Sequence, residues 1–124
     1  MAEWTGVKYG VEVSYHLLGK PFSVSQQATH ELMMVARECV FNAILHGHAQ
    51  EVEIEVAYQS DCLTLSVKDD GAGFDVSKVF SEEHFGLRGM RERIQQLGGK
   101  FEIQSTPGRG THVRAEIPSL TLAP

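Results

Sequence analysis

Cysteine is scarce in this sequence. Cys39 and Cys62 are the only two, too few for a disulfide framework, which points to a reducing, cytoplasmic compartment. Long apolar runs are absent too: the longest, Leu32 to Ala36, falls far short of the roughly 20 residues that span a bilayer. The N-terminus lacks the apolar core of a signal peptide. Positive charge is in deficit, with 11 Lys and Arg against 16 Asp and Glu, a formal charge of −5, and no basic run. That balance argues against a general binder of nucleic acid or of membrane surfaces. No internal repeat or low-complexity tract is present. What remains is 124 residues, 42% hydrophobic and 22% charged, the composition of one globular domain with a core of its own. Glycine is enriched, with 12 copies, and most of its C-terminal copies fall in three short stretches.

Residues 1–7 carry little pattern and read as a linker end or an expression remnant, leaving one domain over 1–124. Val11, Val13, Tyr15 and Leu17 alternate with polar residues, as in a strand ended by Gly19, Lys20 and Pro21. A long helix is expected from Ser25 to about Gly47. Ala28, Leu32, Val35, Ala36, Cys39, Ala43 and His46 form its apolar stripe, and Ser23 or Ser25 its cap. Val52 to Tyr58 and Leu63 to Val67 alternate as two strands joined by a turn at Gln59, Ser60 and Asp61. A second helix is expected from about Arg88 to Leu97, stopped by Gly98-Gly99. A last hairpin pairs Phe101 and Ile103 with Val113, Ala115 and Ile117 around Thr106 to Gly110, and Pro118 ends it. The order predicts a two-layer α/β (α+β) sandwich, a mixed sheet with helices on one face.

Four clusters carry candidate chemistry. Glu38 and Asn42 stand one helical turn apart on one face. Their oxygens are hard ligands of the kind Mg²⁺ takes, and Glu38 alternatively activates a water; the plain reading is a solvated helix edge. Period-two alternation carries the buried face of the second hairpin strand onto Asp69, a carboxylate in need of donors. An adenine amine would serve, with Gly71 and Gly73 letting backbone approach a flat ring; the plain reading is an Asp-Gly turn. Gly86-Leu87-Arg88-Gly89 opens the second helix, where free N–H groups, the helix dipole and Arg88 suit phosphate; an ordinary loop explains it as well. Gly108-Arg109-Gly110-Thr111 is a hairpin turn when taken alone.

In this order the four clusters resemble the N box, the two glycine boxes and the closing Gly-Thr of the GHKL ATP-binding superfamily, which includes gyrase, heat-shock chaperones, mismatch-repair ATPases and histidine kinases. Arg37-Glu38-x-x-x-Asn42 is similar to the N box, and Asp69-Asp70-Gly71-Ala72-Gly73-Phe74 to the first glycine box. Gly86-Leu87-Arg88-Gly89-Met90-Arg91-Glu92-Arg93 resembles the second, in the form found in nitrate-sensing histidine kinases and their relatives. The resemblance runs from about Glu31 to Pro118 and implies the Bergerat fold.

By that resemblance Asn42 binds Mg²⁺ with Glu38 supporting the ion or its water, and Asp69 accepts from the adenine amine of ATP. Gly71 and Gly73 line the base pocket, Gly86 to Gly89 wrap the phosphates, and Thr111 holds Asp69 and a bridging water. Asp75 to Phe85 is expected to be a short ATP lid. Leu45 departs from the pattern, because that position is often Lys or Arg; His46, His48, Lys78 or Arg88 are the candidates to compensate. His46 suits a phosphate contact and a structural histidine equally. His30 is expected to be an ordinary surface residue, since the family's acceptor histidine sits on a separate helical domain. The resemblance implies the catalytic domain of a histidine kinase, with that dimerisation domain as direct partner and a response regulator as indirect one. A Ser/Thr kinase of the anti-sigma-factor type and a nucleotide-binding regulatory module are the alternatives.

Overall fold

The computed structural model describes residues 2–8, 10–77 and 86–118. Among the described residues, six strands and two helices follow in the order β1 (Ala2–Lys8), β2 (Val11–Leu18), α1 (Gln26–Leu45), β3 (Glu51–Tyr58), β4 (Cys62–Asp69), α2 (Leu87–Gln96), β5 (Lys100–Ser105) and β6 (Thr111–Pro118). The strands lie side by side as β1-β2-β3-β4-β6-β5. Among the described strands the β2–β3 pair alone is parallel, because α1 is the crossover between them; the others are antiparallel.

Residues 2–8 are not a linker end but a strand. Ala2 to Lys8 pair with β2 from Ala2↔Leu17 to Lys8↔Val11, and Gly10, at φ 76°, lies at the turn. An edge strand is held by backbone hydrogen bonds, which leave no periodic signature in the sequence.

Register explains the layering. Val67 faces Ile54 and Val113, Leu65 faces Ala115, and Leu63 faces Ile117, so one face of the sheet is a continuous apolar surface. On it α1 sets Val35, Cys39 and Ala43, and α2 sets Leu87, Met90 and Ile94, all buried. The opposite face carries Glu53, Glu55, Ser66, Lys68, His112 and Arg114 at the intervening positions. The helices meet through the Cys39 thiol, which donates to Met90 Sδ at 3.8 Å, and through Arg93 Nη1 and Glu31 Oε2 at 2.8 Å. Burial pushes the Cys39 thiol far up, with Asp69 and Glu38 adding to it, so it packs as a neutral group.

Ser25 is the cap of α1, its hydroxyl accepting from Ala28 N at 3.2 Å. The other end departs from expectation. The last helical residue is Leu45, and the Asn42 carbonyl accepts from both His46 N at 3.0 Å and Gly47 N at 2.9 Å. His46 is therefore exposed rather than part of the apolar stripe, because the helix stops before that stripe reaches it.

Candidate functional site

The loop after β4 runs back across the end of α1. Ala72 N donates to the Gly47 carbonyl at 2.8 Å, and Gly108 N donates to the Ala72 carbonyl at 2.6 Å. This loop, α1 and the start of α2 enclose a slot of about 50 Å³, room for a few waters, over the end of β4 and the start of β6. Cys39, Val67, Leu87 and Val113 make its apolar lining, and Asn42, His46, Asp69 and Thr111 bring the polar groups.

Asp69 is half-buried and paired across the ladder with Thr111. Its Oδ1 accepts from Gly71 N at 2.8 Å, and the Thr111 amide also donates to the carboxylate. Burial lifts its carboxyl above the ordinary aspartate value. The Gly71 bond works against that, the adjacent Asp70 charge adds to it, and the Thr111 bond again lowers it. The upward shift wins, so the carboxylate is under-solvated and gains from any further donor. Asp70, next in sequence, has turned away: its Oδ1 accepts from Gln50 N at 2.8 Å and Glu51 N at 2.9 Å, pinning the start of β3. Those bonds, above all the one from Glu51, hold its carboxyl below the ordinary value.

Two glycines of this loop are required by space. A Cβ on Gly71 would lie 2.7 Å from the Gly47 carbonyl oxygen and 2.9 Å from Asp69 Oδ1. Gly73 has φ 65°, and a Cβ there would collide with the Thr106 carbonyl oxygen. Gly73 and Phe74 line the slot, whereas Gly71 lies behind Asp69.

At the start of α2, Gly86 is the N-cap in a left-handed conformation, φ 71°, with no side-chain cap on the helix. Gly86 thus brings no side chain of its own to cap the first turn of α2, and a helix start of this kind suits an anion. A Cβ on Gly86 would lie 2.9 Å from Glu38 Oε2, so the Glu38 carboxylate reaches under this cap. Gly89 is exposed and meets nothing within 4 Å of a built Cβ, so packing does not require glycine there. Arg88 is exposed on the same turn, its Nε 3.6 Å from Glu92 Oε1. Leu45, at the often-basic position, is 61% exposed beyond the slot. Lys78 and His84, and the lid from residue 78 to 85, lie outside the described residues.

One residue of the site is absent from the sequence reading. Ser105 Oγ accepts from Phe74 N at 2.9 Å, donates to the Gly110 carbonyl at 3.0 Å, and lies 2.9 Å from Thr111 Oγ1. It ties the loop after β4 to the start of β6.

The family model described as histidine kinase-, DNA gyrase B- and HSP90-like ATPase matches residues 27–121. The sensor protein VraS of Staphylococcus epidermidis is 34% identical over 97 residues, 78% of this chain and 28% of the relative. The signal transduction histidine-protein kinase/phosphatase DegS of Bacillus subtilis is 36% identical over 89 residues, 70% of this chain and 23% of the relative. The chain thus spans under a third of the length of these relatives. Among solved structures, the histidine kinase domain of the Erythrobacter litoralis EL346 blue-light activated kinase has a similar fold, with a TM-score of 0.70 over 86% of this chain and 51% of that one, at 23% identity.

Proposed function

The chain belongs to the family of histidine kinase-, DNA gyrase B- and HSP90-like ATPases, and from that premise we propose that it binds Mg²⁺-ATP and directs the γ-phosphate to a histidine on a helical dimerisation domain. The observation that carries this reading is the under-solvated Asp69 carboxylate at the edge of an apolar slot, with the uncapped start of α2 close by.

Each group has a task. The slot takes the adenine, and Asp69 accepts from its amine; the ring replaces waters over Val67, Val113 and Leu87. Phosphates lie toward Gly86 to Gly89, where first-turn N–H groups donate and Arg88 adds a charge. Asn42 and Glu38 fit a hard divalent cation: an amide oxygen and a carboxylate one helical turn apart, Glu38 held under the Gly86 cap. When bound, Mg²⁺ would supply neutralisation of the phosphate charge. Glu38 would support that ion or its water, and α1 and α2 fix the relative positions of these groups, so that the protein contributes positioning and charge rather than a covalent step. His46 is exposed and lines the slot, and in this reading it contacts a phosphate oxygen.

The acceptor imidazole comes from another domain. The described histidines are held away from in-line attack: His30 is exposed on the first turns of α1, His46 and His48 follow its end, and His16 and His112 lie in strands. A response regulator would receive the phosphoryl group in turn. No helix among the described residues is long and apolar enough to cross a membrane, and the reading puts the domain in the cytoplasm.

A nucleotide-binding regulatory module without transfer is the second reading. The exposed Leu45 favours it, since one cation that would steady the phosphates is missing. Radiolabelled ATP separates the two. The chain alone should acquire no label. Added helical domain from the full-length kinase should acquire an acid-labile, base-stable one. Label on the chain itself, or none on the helical domain despite ATP binding, rejects the kinase reading.

A further inference from the structure

Three contacts along one seam make α1 and α2 antiparallel. At one end Arg93 Nη1 donates to Glu31 Oε2 at 2.8 Å. Between the ends the Cys39 and Met90 sulfurs lie 3.8 Å apart. At the other end Glu38 Oε2 stands 2.9 Å from where a Cβ on Gly86 would lie. Glu38 is seven residues beyond Glu31 along α1, and Gly86, the cap of α2, is seven residues before Arg93. Seven residues are about two helical turns, roughly 10.5 Å of rise in each helix. The ion pair and the Glu38 carboxylate therefore stand at matched heights, two turns apart.

The seam between them does little to fix how far one helix slides along the other. A thiol against a thioether is a soft, adaptable contact. The buried side chains of Val35, Leu87 and Ile94 set how closely the helices approach, but apolar attraction has no direction. Small sliding of packed helices is the motion such a seam allows. A guanidinium–carboxylate bond is directional and opposes it. This one is partly shielded, with the Glu31 side chain 20% and the Arg93 side chain 41% exposed.

We propose that Arg93 and Glu31 are positioning residues of the phosphate and cation site: their bond sets the register of α2 on α1 and so holds the Glu38 carboxylate against the start of α2. The inference rests on the nucleotide reading above. Neither side chain lines the slot, and both act through Glu38. Sliding α2 moves its first turn relative to Glu38, where phosphates and cation would meet. It leaves Asp69 and Thr111 in place, because those stand on paired strands.

The test measures Mg²⁺-ATP and adenosine by calorimetry, adenosine reporting the base slot alone. Glu31→Gln, close to isosteric, should lower the ratio of Mg²⁺-ATP affinity to adenosine affinity by about threefold, the size of a partly shielded ion pair. The swap Glu31→Arg with Arg93→Glu puts the same two side chains across the same gap and should return the ratio toward wild type. Glu38→Gln alone should lower the ratio, and Glu31→Gln added to it should change it no further, since both losses pass through one carboxylate. A merely structural pair would lower the melting temperature and weaken both ligands alike. An unchanged ratio in Glu31→Gln therefore overturns the proposal, and so does a full further loss when Glu31→Gln is added to Glu38→Gln. If Glu31→Gln does not fold, an unchanged ratio in Arg93→Gln overturns it. Failure of the wild-type chain to bind Mg²⁺-ATP, or a wild-type ratio in Glu38→Gln, would instead overturn the nucleotide and cation reading, and this inference with it.

Discussion

Asp69 and Asp70 are neighbours in sequence with opposite tasks, and replacing them one at a time should separate stability from binding. Asp70 accepts two backbone N–H bonds, from Gln50 and Glu51. Bonds to a charged acceptor contribute about 1.5–3 kcal/mol each when shielded. Asp70 is exposed, and water takes over much of that role in Asp70→Ala, so a net loss of about 1–2 kcal/mol is expected. For a domain of this size that is about 3–8 °C in melting temperature.

The pH dependence carries the sign. The folded Asp70 carboxyl is held below its ordinary value. Its contribution is therefore fully present above that ordinary value and is lost as pH falls through the depressed folded one. The gap between wild type and Asp70→Ala should close only in strong acid. Asp69 is shifted upward, so its ionised form costs stability at neutral pH. Asp69→Asn should show no acid-closing loss of the Asp70 kind, and it should abolish the ATP-induced rise in melting temperature. For wild type that rise reflects about 2.7 kcal/mol at a ligand concentration of 100 times Kd. Asp70→Ala should keep it in full. Thermal melts of the three proteins, with and without Mg²⁺-ATP, at neutral and acid pH, decide the matter. An Asp69→Asn protein that keeps the nucleotide shift, or an Asp70→Ala protein that loses it, would refute the division of labour.

Three further outcomes follow from the same geometry. Gly89→Ala should stabilise the chain without ligand by up to about 1 kcal/mol, since the position is helical with open space, yet weaken ATP more than adenosine; a protein no more stable than wild type, or equal losses for both ligands, would count against a phosphate role. Asn42→Ala should remove most of the Mg²⁺ dependence of ATP binding while sparing adenosine, and calorimetry showing unchanged Mg²⁺ dependence would put the ion elsewhere. Nucleotide affinity should fall as pH drops through the Asp69 value, which is raised above that of an ordinary aspartate, because in the proposed reading the amine needs the ionised carboxylate; a titration insensitive to pH there, or identical in Asp69→Asn, would contradict that.

The layering of the sheet was legible because period-two and period-3.6 patterns report buried faces directly. The alternation that runs Val52, Ile54, Val56 and Leu63, Leu65, Val67 identifies the face that α1 covers, and it also exposes Asp69 as the carboxylate out of place. The same rule applied one strand further would have found Ser105. Phe101 and Ile103 set the inward face of β5, and period two puts Ser105 on it, across from Thr111. The serine is easily passed over because its loop neighbours Thr106 and Pro107 read as turn. β1 was illegible for a different reason, since its pairing with β2 is a backbone property. The end of α1 was misplaced by the stripe: His46 keeps the spacing of the apolar positions, but the Asn42 carbonyl accepts from both His46 N and Gly47 N, and the chain leaves the helix there.

The relation between Glu38 and Gly86 shows why the clusters stand so far apart in sequence and still form one site. Glu38 is half-buried on the edge of α1 that faces α2, and its carboxylate occupies the volume that a Cβ on residue 86 would enter. Gly86 is also the point where the chain takes a left-handed turn into α2, a conformation that costs other residues about 1 kcal/mol or more. The glycine therefore answers two demands at once, the turn and the carboxylate. A negative group held against a helix N-terminus is favourable by itself, so Glu38 helps to offset the missing side-chain cap of α2 when no nucleotide is present. An incoming phosphate competes for the same positive end. On the proposed function the carboxylate and the phosphate would repel unless a cation lay between them, and Asn42, one turn along α1 from Glu38, would share that cation. In the proposed reading, the Mg²⁺ dependence expected of nucleotide binding would follow from the packing of α1 against α2 as much as from either ligand alone.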